Sequence, residues 1–426
     1  MNKELIELIE YAPPFVIDYR LNDEERRYLS NLSIIEKSNS RDFRFYFDEL
    51  HSGLRIKPLN WVGVIELANV RIVIKPKFNR EFHSLVKLIC FIEQLPYFVY
   101  HDTKIEDGKN DLIELLVRLY LLEVARLLKV GVSKEYINIS DNLNILKGRV
   151  DFIKNAQLNF ANPASLYCNY DELSTNIIEN QIIHAALSKS RQFRLKDSTK
   201  KKVDIYLHEF QLICEEYIGD TMPIFSYNRL NSHYERVHRL TKYILKQKTL
   251  KDFYSYSNSG FYSVLMDMNE LFEMFVYTLF VKYLPDNYNV QKHGRRITDA
   301  IQQNSVRYKD IIPDILITDK ETGEVTVIDT KYKNYGNNKV SNEDIYQLAF
   351  YAQYYHKKAY TQYRSLIIYP EYSQQNHTQD IDLELLSKSL HPGTLGVRSI
   401  SIEYFLNLIF SKSDDEIRSN LVKLIS

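Results

Sequence analysis

The 426-residue sequence predicts an α/β chain, α+β overall. A β-rich and then helical N-terminal region precedes a C-terminal domain with a mixed sheet flanked by helices. Three observations predict this. Residues 43–78 alternate apolar and polar side chains in strand fashion. Residues 111–129 and most of 171–250 carry apolar residues at helical spacing. From residue 265 onward, helical and strand-like segments take turns, as they do in sheets covered by helices.

In the N-terminal region, FRFYF (residues 43–47) and LRIKPLNWVGVIELANVRIVIKPKF (residues 54–78) read as strands. DLIELLVRLYLLEVARLLK (residues 111–129) reads as a helix, with Gly131 just past its end. LKGRVDF (residues 146–152) reads as a short turn or strand. Ser174, Thr175 and Asn176 offer an N-cap before the apolar run that follows. The Ser/Tyr/Asn-rich stretch FYSYSNSGFYS, around Gly260, marks the main boundary. It divides the chain into residues 1–255, β-rich to 160 and mainly helical to 255, and a domain of residues 256–426.

Composition narrows the function classes. Hydrophobic residues make up 45% and charged residues 26%, so a large core is affordable and disorder is excluded. Lysine plus arginine equal aspartate plus glutamate, 55 of each. A chain that grips nucleic acid by bulk charge is thereby disfavoured, although a local basic groove is not. Cys90, Cys168 and Cys214 are scattered and form no C-x-x-C pair, which argues against a disulfide framework or a zinc ribbon. The N-terminus lacks the apolar run of a signal peptide, and no stretch has the length of a membrane span. A cytoplasmic protein with no membrane partner is expected.

The chemistry concentrates in IIPDILITDKETGEVTVIDTKYK, residues 311–333. ILIT and EVTVIDTKYK read as two strands, and DKETG (residues 319–323) supplies the polar, glycine-bearing turn between them. Asp329 and Lys331 are two apart on one strand, so they share a face. A hairpin closing at 319–323 brings Asp314 beside Asp329. Two carboxylates and one ammonium converge at one end of a sheet. Such a group suits phosphodiester hydrolysis: carboxylates hold Mg²⁺, the metal acidifies a bound water, and a lysine orients that water or offsets developing charge. The spacing P-D-x14-D-x-K fits the PD-(D/E)xK pattern. Alone, the same residues also describe a surface hairpin with solvated charges.

Two further features bear on that choice. SNEDIYQLAFYA (residues 341–352) opens with Ser341 and Asp344 in a capping-box arrangement, and Gln347 and Tyr351 lie one turn apart on one helix face. A Q-x-x-x-Y helix after the D-x-K strand resembles the pattern of RecB-like nucleases, where it lies beside the metal and contacts DNA; core packing of Tyr351 is the alternative, and the position after the D-x-K strand favours the cleft. In the expected helix over residues 265–284, Glu273 falls at the edge of the apolar face while Glu270 points further towards solvent. The PD-(D/E)xK fold commonly takes one acid from this helix, and Glu273 fits that place. A surface ion pair fits it equally.

Taken in order, WVGVIELANVRIVIKPKF, LKGRVDF, YDELSTNIIENQIIHAAL, MDMNELFEMFV and the PD…DTKYK…QLAFYA block resemble the McrC family of modification-dependent restriction systems. The resemblance implies a restriction-endonuclease-like C-terminal domain with Asp314, Asp329 and Lys331 as its catalytic set. It implies Asp314, Asp329 and Glu273 around Mg²⁺, for which Mn²⁺ can substitute, and Gln347 and Tyr351 in the DNA cleft. It implies docking of the N-terminal region on an McrB-like AAA+ GTPase ring, action on DNA carrying modified cytosine, and self-association through the nuclease domain. No G-x-x-x-x-G-K-[ST] phosphate loop occurs, so this chain is expected to bind no nucleotide itself. Competing readings are a cluster-free RecB-like exonuclease and a non-catalytic activator of an AAA+ partner. Three scattered cysteines cannot ligate the cluster of the iron–sulfur exonucleases.

Overall fold

The computed structural model describes residues 3–37, 40–95, 112–219, 222–246, 248–249, 261–292, 297–303, 306–333, 335, 340–355, 363–371, 381–385 and 393–425. The chain forms two compact units. One joins Met1–His101 to Phe253–Ser426, and the other is Asp102–Asp252. A division at residue 255 keeps the first 255 residues together. The structure instead groups the first segment of the chain with the last, because strands from both share one sheet. The Ser/Tyr/Asn-rich boundary stretch up to Gly260 lies outside the described residues.

In the first unit, the strands Glu4–Ile9, Val70–Lys75, Trp61–Glu66 and Tyr262–Asp267 lie side by side in that order. Glu4–Ile9 runs parallel to Val70–Lys75, and the other two pairings are antiparallel. Leu265 and Met266 belong to this sheet, opposite Gly63 and Val62, and not to the helix expected over 265–284. That helix spans Met268–Tyr283. Asp267 starts it as N-cap, its Oδ1 accepting from the Asn269 backbone at 2.9 Å. Gly63 (φ +143°) permits the tight strand pairing, since a Cβ there would lie 1.8 Å from the Val264 carbonyl oxygen. The expected strands over 54–78 are found as Gly53–Pro58, Trp61–Glu66 and Val70–Lys75.

The C-terminal part carries the mixed sheet the sequence predicts. Its order is Tyr288–Lys292, Ile315–Asp319, Val325–Thr330, Tyr363–Pro370, Gly393–Ile400, Ile381–Leu385. The two central pairings, Val325–Thr330 with Tyr363–Pro370 and Tyr363–Pro370 with Gly393–Ile400, are parallel, and the outer ones antiparallel. Central strands buried on both faces read as continuous apolar runs, which is why LIIY in the Tyr363–Pro370 strand is legible. The helix Asn342–Tyr355 covers one face. Its Leu348 packs with Leu316, Val327, Ile367, Leu395 and Val397 in one cluster. Each such side chain contributes about 1.5–3 kcal/mol by leaving water.

The second unit opens with the helix Leu112–Val130, closed by Gly131 at φ +105°. An antiparallel sheet follows, ordered Arg149–Val150, Leu166–Ser174, Glu135–Leu143. LKGRVDF therefore splits, its last residue starting the helix Phe152–Leu158 behind the N-cap Asp151. The helices Ile178–Ser190, Asp197–Ile213 and Glu235–Leu245 complete the unit. The cap expected at 174–176 is not used. The helix starts after Ile177, which makes no side-chain cap bond. Asn176 Oδ1 instead accepts from the Glu215 backbone at 2.9 Å and from Gln181 at 2.8 Å. Among the described residues, no helix is long and apolar enough to cross a membrane.

Candidate active site

The hairpin closes as its sequence dictates. Asp319 Oδ1 accepts from the Glu321 backbone at 2.8 Å, and the Gly323 N–H donates to the Asp319 carbonyl at 2.8 Å. Gly323 sits at φ +72°, where a side chain would be strained. Ile315 pairs with Ile328, so Asp314, one residue earlier, stands across from Asp329. Asp314 is half-buried and tied down: its Oδ2 accepts from the backbone N–H of Thr330 at 2.8 Å and from the Thr330 hydroxyl at 2.9 Å.

Asp329 is buried, 3% exposed. Its Oδ2 lies 2.8 Å from Lys331 Nζ, as two residues on one strand face allow. Burial, then repulsion from Asp314, pushes its carboxyl up to about 6, against the opposing pull of Lys331. On Lys331, burial works against the charge, but Asp329, Asp344 and Asp314 outweigh it and raise the ammonium above its ordinary value. Lys331 Nζ also lies 3.4 Å from Gln347 Oε1 and 3.7 Å from Asp344 Oδ1. Its backbone N–H donates to the Ile368 carbonyl at 2.9 Å, which continues the ladder past the strand's end.

The structure thus brings Asp314, Asp329, Lys331 and Gln347 together. Gln347 Nε2 donates to the Tyr351 hydroxyl at 3.2 Å, while the Tyr351 ring packs on the cluster around Leu348. Tyr351 is both a core residue and a polar one. Glu273 is half-buried and lies 3.3 Å from Lys292, on the edge strand paired with Ile315–Asp319. Glu270 is exposed. Among the described residues, no three His, Cys, Asp or Glu side chains are grouped closely enough to hold a metal ion between them.

Sequence reasoning missed two contributors. Thr330, between Asp329 and Lys331, holds Asp314; the T of D-T-K is its only signal. Asp344 was legible as a helix-start residue, but its carboxylate also accepts from Lys333 at 3.0 Å and 3.2 Å and from the Tyr335 hydroxyl. Burial alone would raise Asp344, but the Ser341, Tyr335 and Lys333 hydrogen bonds outweigh it and hold it at about 2.

Fold and centre together define an α/β protein with a carboxylate–ammonium group on the end of a mixed sheet. Comparison with known proteins supplies its kinship. The family model described as "McrBC 5-methylcytosine restriction system component" matches residues 56–370, and the chain belongs to that family. A chain of the structure described as "Refined half-complex from tetradecameric assembly of Thermococcus gammatolerans McrB AAA+ hexamers with bound McrC" shares the fold, at TM-score 0.60 and 15% identity, over 99% of this chain and 100% of that one. A chain of the "Cryo-EM structure of the Thermococcus gammatolerans McrBC complex" aligns at TM-score 0.47 and 15% identity, over 66% of this chain and 88% of that one. No curated protein sequence matches the chain.

Proposed function

We propose that this restriction-system component is its DNA-cutting subunit, a PD-(D/E)xK endonuclease. The observation that carries the reading is the meeting of Asp314, Asp329 and Lys331 on one hairpin, with Asp314 clamped by Thr330 and Asp329 ion-paired to Lys331. The donor set fits Mg²⁺: hard carboxylate oxygens, with Asp329 pushed up to about 6 by burial first and by the neighbouring Asp314 second, a cost that a bound cation would offset. Asp314 and Asp329 would hold the ion, with waters filling the other positions. Glu273 would join only by leaving Lys292. Bound there, Mg²⁺ or Mn²⁺ would acidify a water and offset charge on the phosphate.

The chain's own residues do the rest. Lys331 presents a fixed ammonium to the negative charge that grows on the phosphoryl oxygens, in a site where that charge is little screened. Gln347 offers its amide to a phosphate oxygen or to the attacking water, and Tyr351 steadies Gln347. The burial of Asp329 keeps bulk water from competing for these groups.

The partner in this reading is an McrB-like AAA+ GTPase ring in the cytoplasm, and the substrate is DNA with modified cytosine. The similar structure described above holds McrB hexamers with bound McrC. In this reading the docking face lies in the second unit, where Ile145, Leu146, Phe152, Ile153, Leu158 and Phe160 are exposed, by 61% to 91%. Apolar residues concentrated in so short a segment mark an interaction face. The test is cleavage of methylated plasmid with Mg²⁺ by the full chain and its AAA+ partner. Asp329→Ala should abolish cutting and leave the circular dichroism spectrum unchanged. Wild-type cutting by well-folded Asp329→Ala would overturn the assignment.

A further inference from the structure

Asp344 is unusually buried for a carboxylate in a first helical turn. It is 5% exposed, yet its carboxylate accepts from Ser341 Oγ at 2.6 Å, from Lys333 and from the Tyr335 hydroxyl. Buried carboxylates are rare unless paired, and pairing on this scale keeps the group charged. Its Oδ1 is 3.7 Å from Lys331 Nζ. Lys331 therefore stands among three acceptors: Asp329 at 2.8 Å, Gln347 at 3.4 Å and Asp344 at 3.7 Å.

We infer that Asp344 is a positioning residue for Lys331, the second carboxylate that holds the lysine ammonium at the reacting phosphate. The inference rests on the nuclease reading above and deepens it. A lysine tethered only to Asp329 would be poorly held once Asp329 gave its charge to a divalent cation, because the attraction between them would be largely cancelled. Asp344 belongs to the helix, not to the hairpin, and Lys333, Tyr335 and Ser341 fix its orientation. It keeps its full negative charge beside Lys331 when the Asp314–Asp329 pair is occupied. A flexible four-carbon stem needs such a second anchor, since a lysine ammonium is a mobile point charge. Gln347, the third acceptor, lies one turn further along the same helix, so one rigid element carries both groups that steer Lys331.

The test compares Asp344→Asn and Asp344→Glu with Lys331→Ala, all as full chains with the AAA+ partner. Single-turnover cleavage of methylated plasmid is measured at saturating Mg²⁺, and Mn²⁺ affinity of each isolated chain by calorimetry. Asp344→Asn should cut about 10- to 100-fold more slowly, the range found when a supporting residue behind an active site is removed. Its KM for DNA and its Mn²⁺ affinity should stay at wild-type values, and Asp344→Glu should recover at least part of the rate. Wild-type cleavage by Asp344→Asn, with Lys331→Ala inactive, would overturn the positioning role and leave the nuclease reading intact. A slowed Asp344→Asn whose Mn²⁺ affinity falls in step would also overturn it, assigning Asp344 to the metal instead. Wild-type cleavage by Lys331→Ala would overturn the nuclease reading itself.

Discussion

Glu10 and Tyr332 stand 322 positions apart in sequence and share a 2.6 Å hydrogen bond, the tyrosine hydroxyl donating to Glu10 Oε1. The same oxygen accepts from the Lys77 backbone at 2.7 Å. Tyr332 follows Lys331 directly, and its ring lies 5.7 Å from that of Phe272. The N-terminal segment around Glu10 is thus bonded to the residue next to the candidate catalytic lysine. Tyr332→Phe removes the hydroxyl and leaves the ring, and Glu10 Oε1 keeps its bond from Lys77, so the variant should destabilise the protein by about 0.5–1.5 kcal/mol, the net worth of one hydrogen bond. Urea unfolding of the two proteins measures it.

Glu10 also gives the fold a pH dependence. It is fully buried, and its Oε2 has no hydrogen-bond partner among the described residues. Burial pushes its carboxyl up to about 7, against the Lys77 and Tyr332 hydrogen bonds that favour ionisation. The folded state therefore holds this proton more tightly than the unfolded chain. Its contribution to stability is complete below the ordinary value of 4.5 and is lost as pH rises through 7. Glu10→Gln keeps a neutral amide there, so its stability should vary less with pH between 4.5 and 7 than the parent's. Melting temperatures across that window test this, and identical pH profiles would refute it.

Thr330→Val should weaken the clamp on Asp314 without removing it, because the backbone N–H still donates at 2.8 Å. Cleavage should fall by about 10-fold, the lower end of what loss of a supporting contact does to a metal site. Unchanged cleavage with raised Mn²⁺ affinity would show that the hydroxyl restrains Asp314 unproductively.

Gln347→Ala should slow cleavage and leave Mn²⁺ affinity nearly unchanged, since a neutral amide is a weak ligand for a hard cation. Tyr351→Phe keeps the packing on the Leu348 cluster and removes only the hydroxyl that Gln347 bonds. Full activity in both variants, with lost stability in Tyr351→Ala, would reduce this helix to a packing element.

Much of this centre was legible in the sequence because its signals are local. The P-D…D-x-K spacing, the glycine turn and the alternation of Asp329 and Lys331 fix the hairpin within one stretch. The helix at residues 341–352 was equally local, its cap and its Gln347–Tyr351 face separated by single turns. Partners far apart in sequence were not legible. Nothing in MNKELIELIEYAPP announces that Glu10 meets Tyr332, nor in WVGVIE that it pairs with YSVLMD. The strands Tyr288–Lys292, Ile381–Leu385 and Gly393–Ile400 were not assigned, the first two because five residues carry too short a pattern to stand out alone. Leu265 and Met266 read as helix because the apolar run continues past Asp267, and only pairing with Val62 and Gly63 makes them strand.

A fragment of residues 256–426 should fail to fold alone. It would expose the Tyr262–Asp267 strand, stripped of Trp61–Glu66, and strip Tyr332 of Glu10. An unpaired apolar strand is an aggregation site. Circular dichroism and size-exclusion chromatography of the fragment check this, and a monomeric, cooperatively melting fragment would refute it.

The pairing of Trp61–Glu66 with Tyr262–Asp267 also sets a clock on biosynthesis. Asn60 and Asp267, bonded at 2.6 Å, are 207 positions apart. A ribosome adding about 5–20 residues per second takes roughly 10–40 s to travel between them. Through that interval the early strands wait with an edge unfilled while the second unit is made. The hairpin bearing Asp314 and Asp329 emerges later still. A growing polypeptide therefore carries no assembled carboxylate–lysine group until most of it has left the exit tunnel, so the candidate centre is completed only near the end of synthesis.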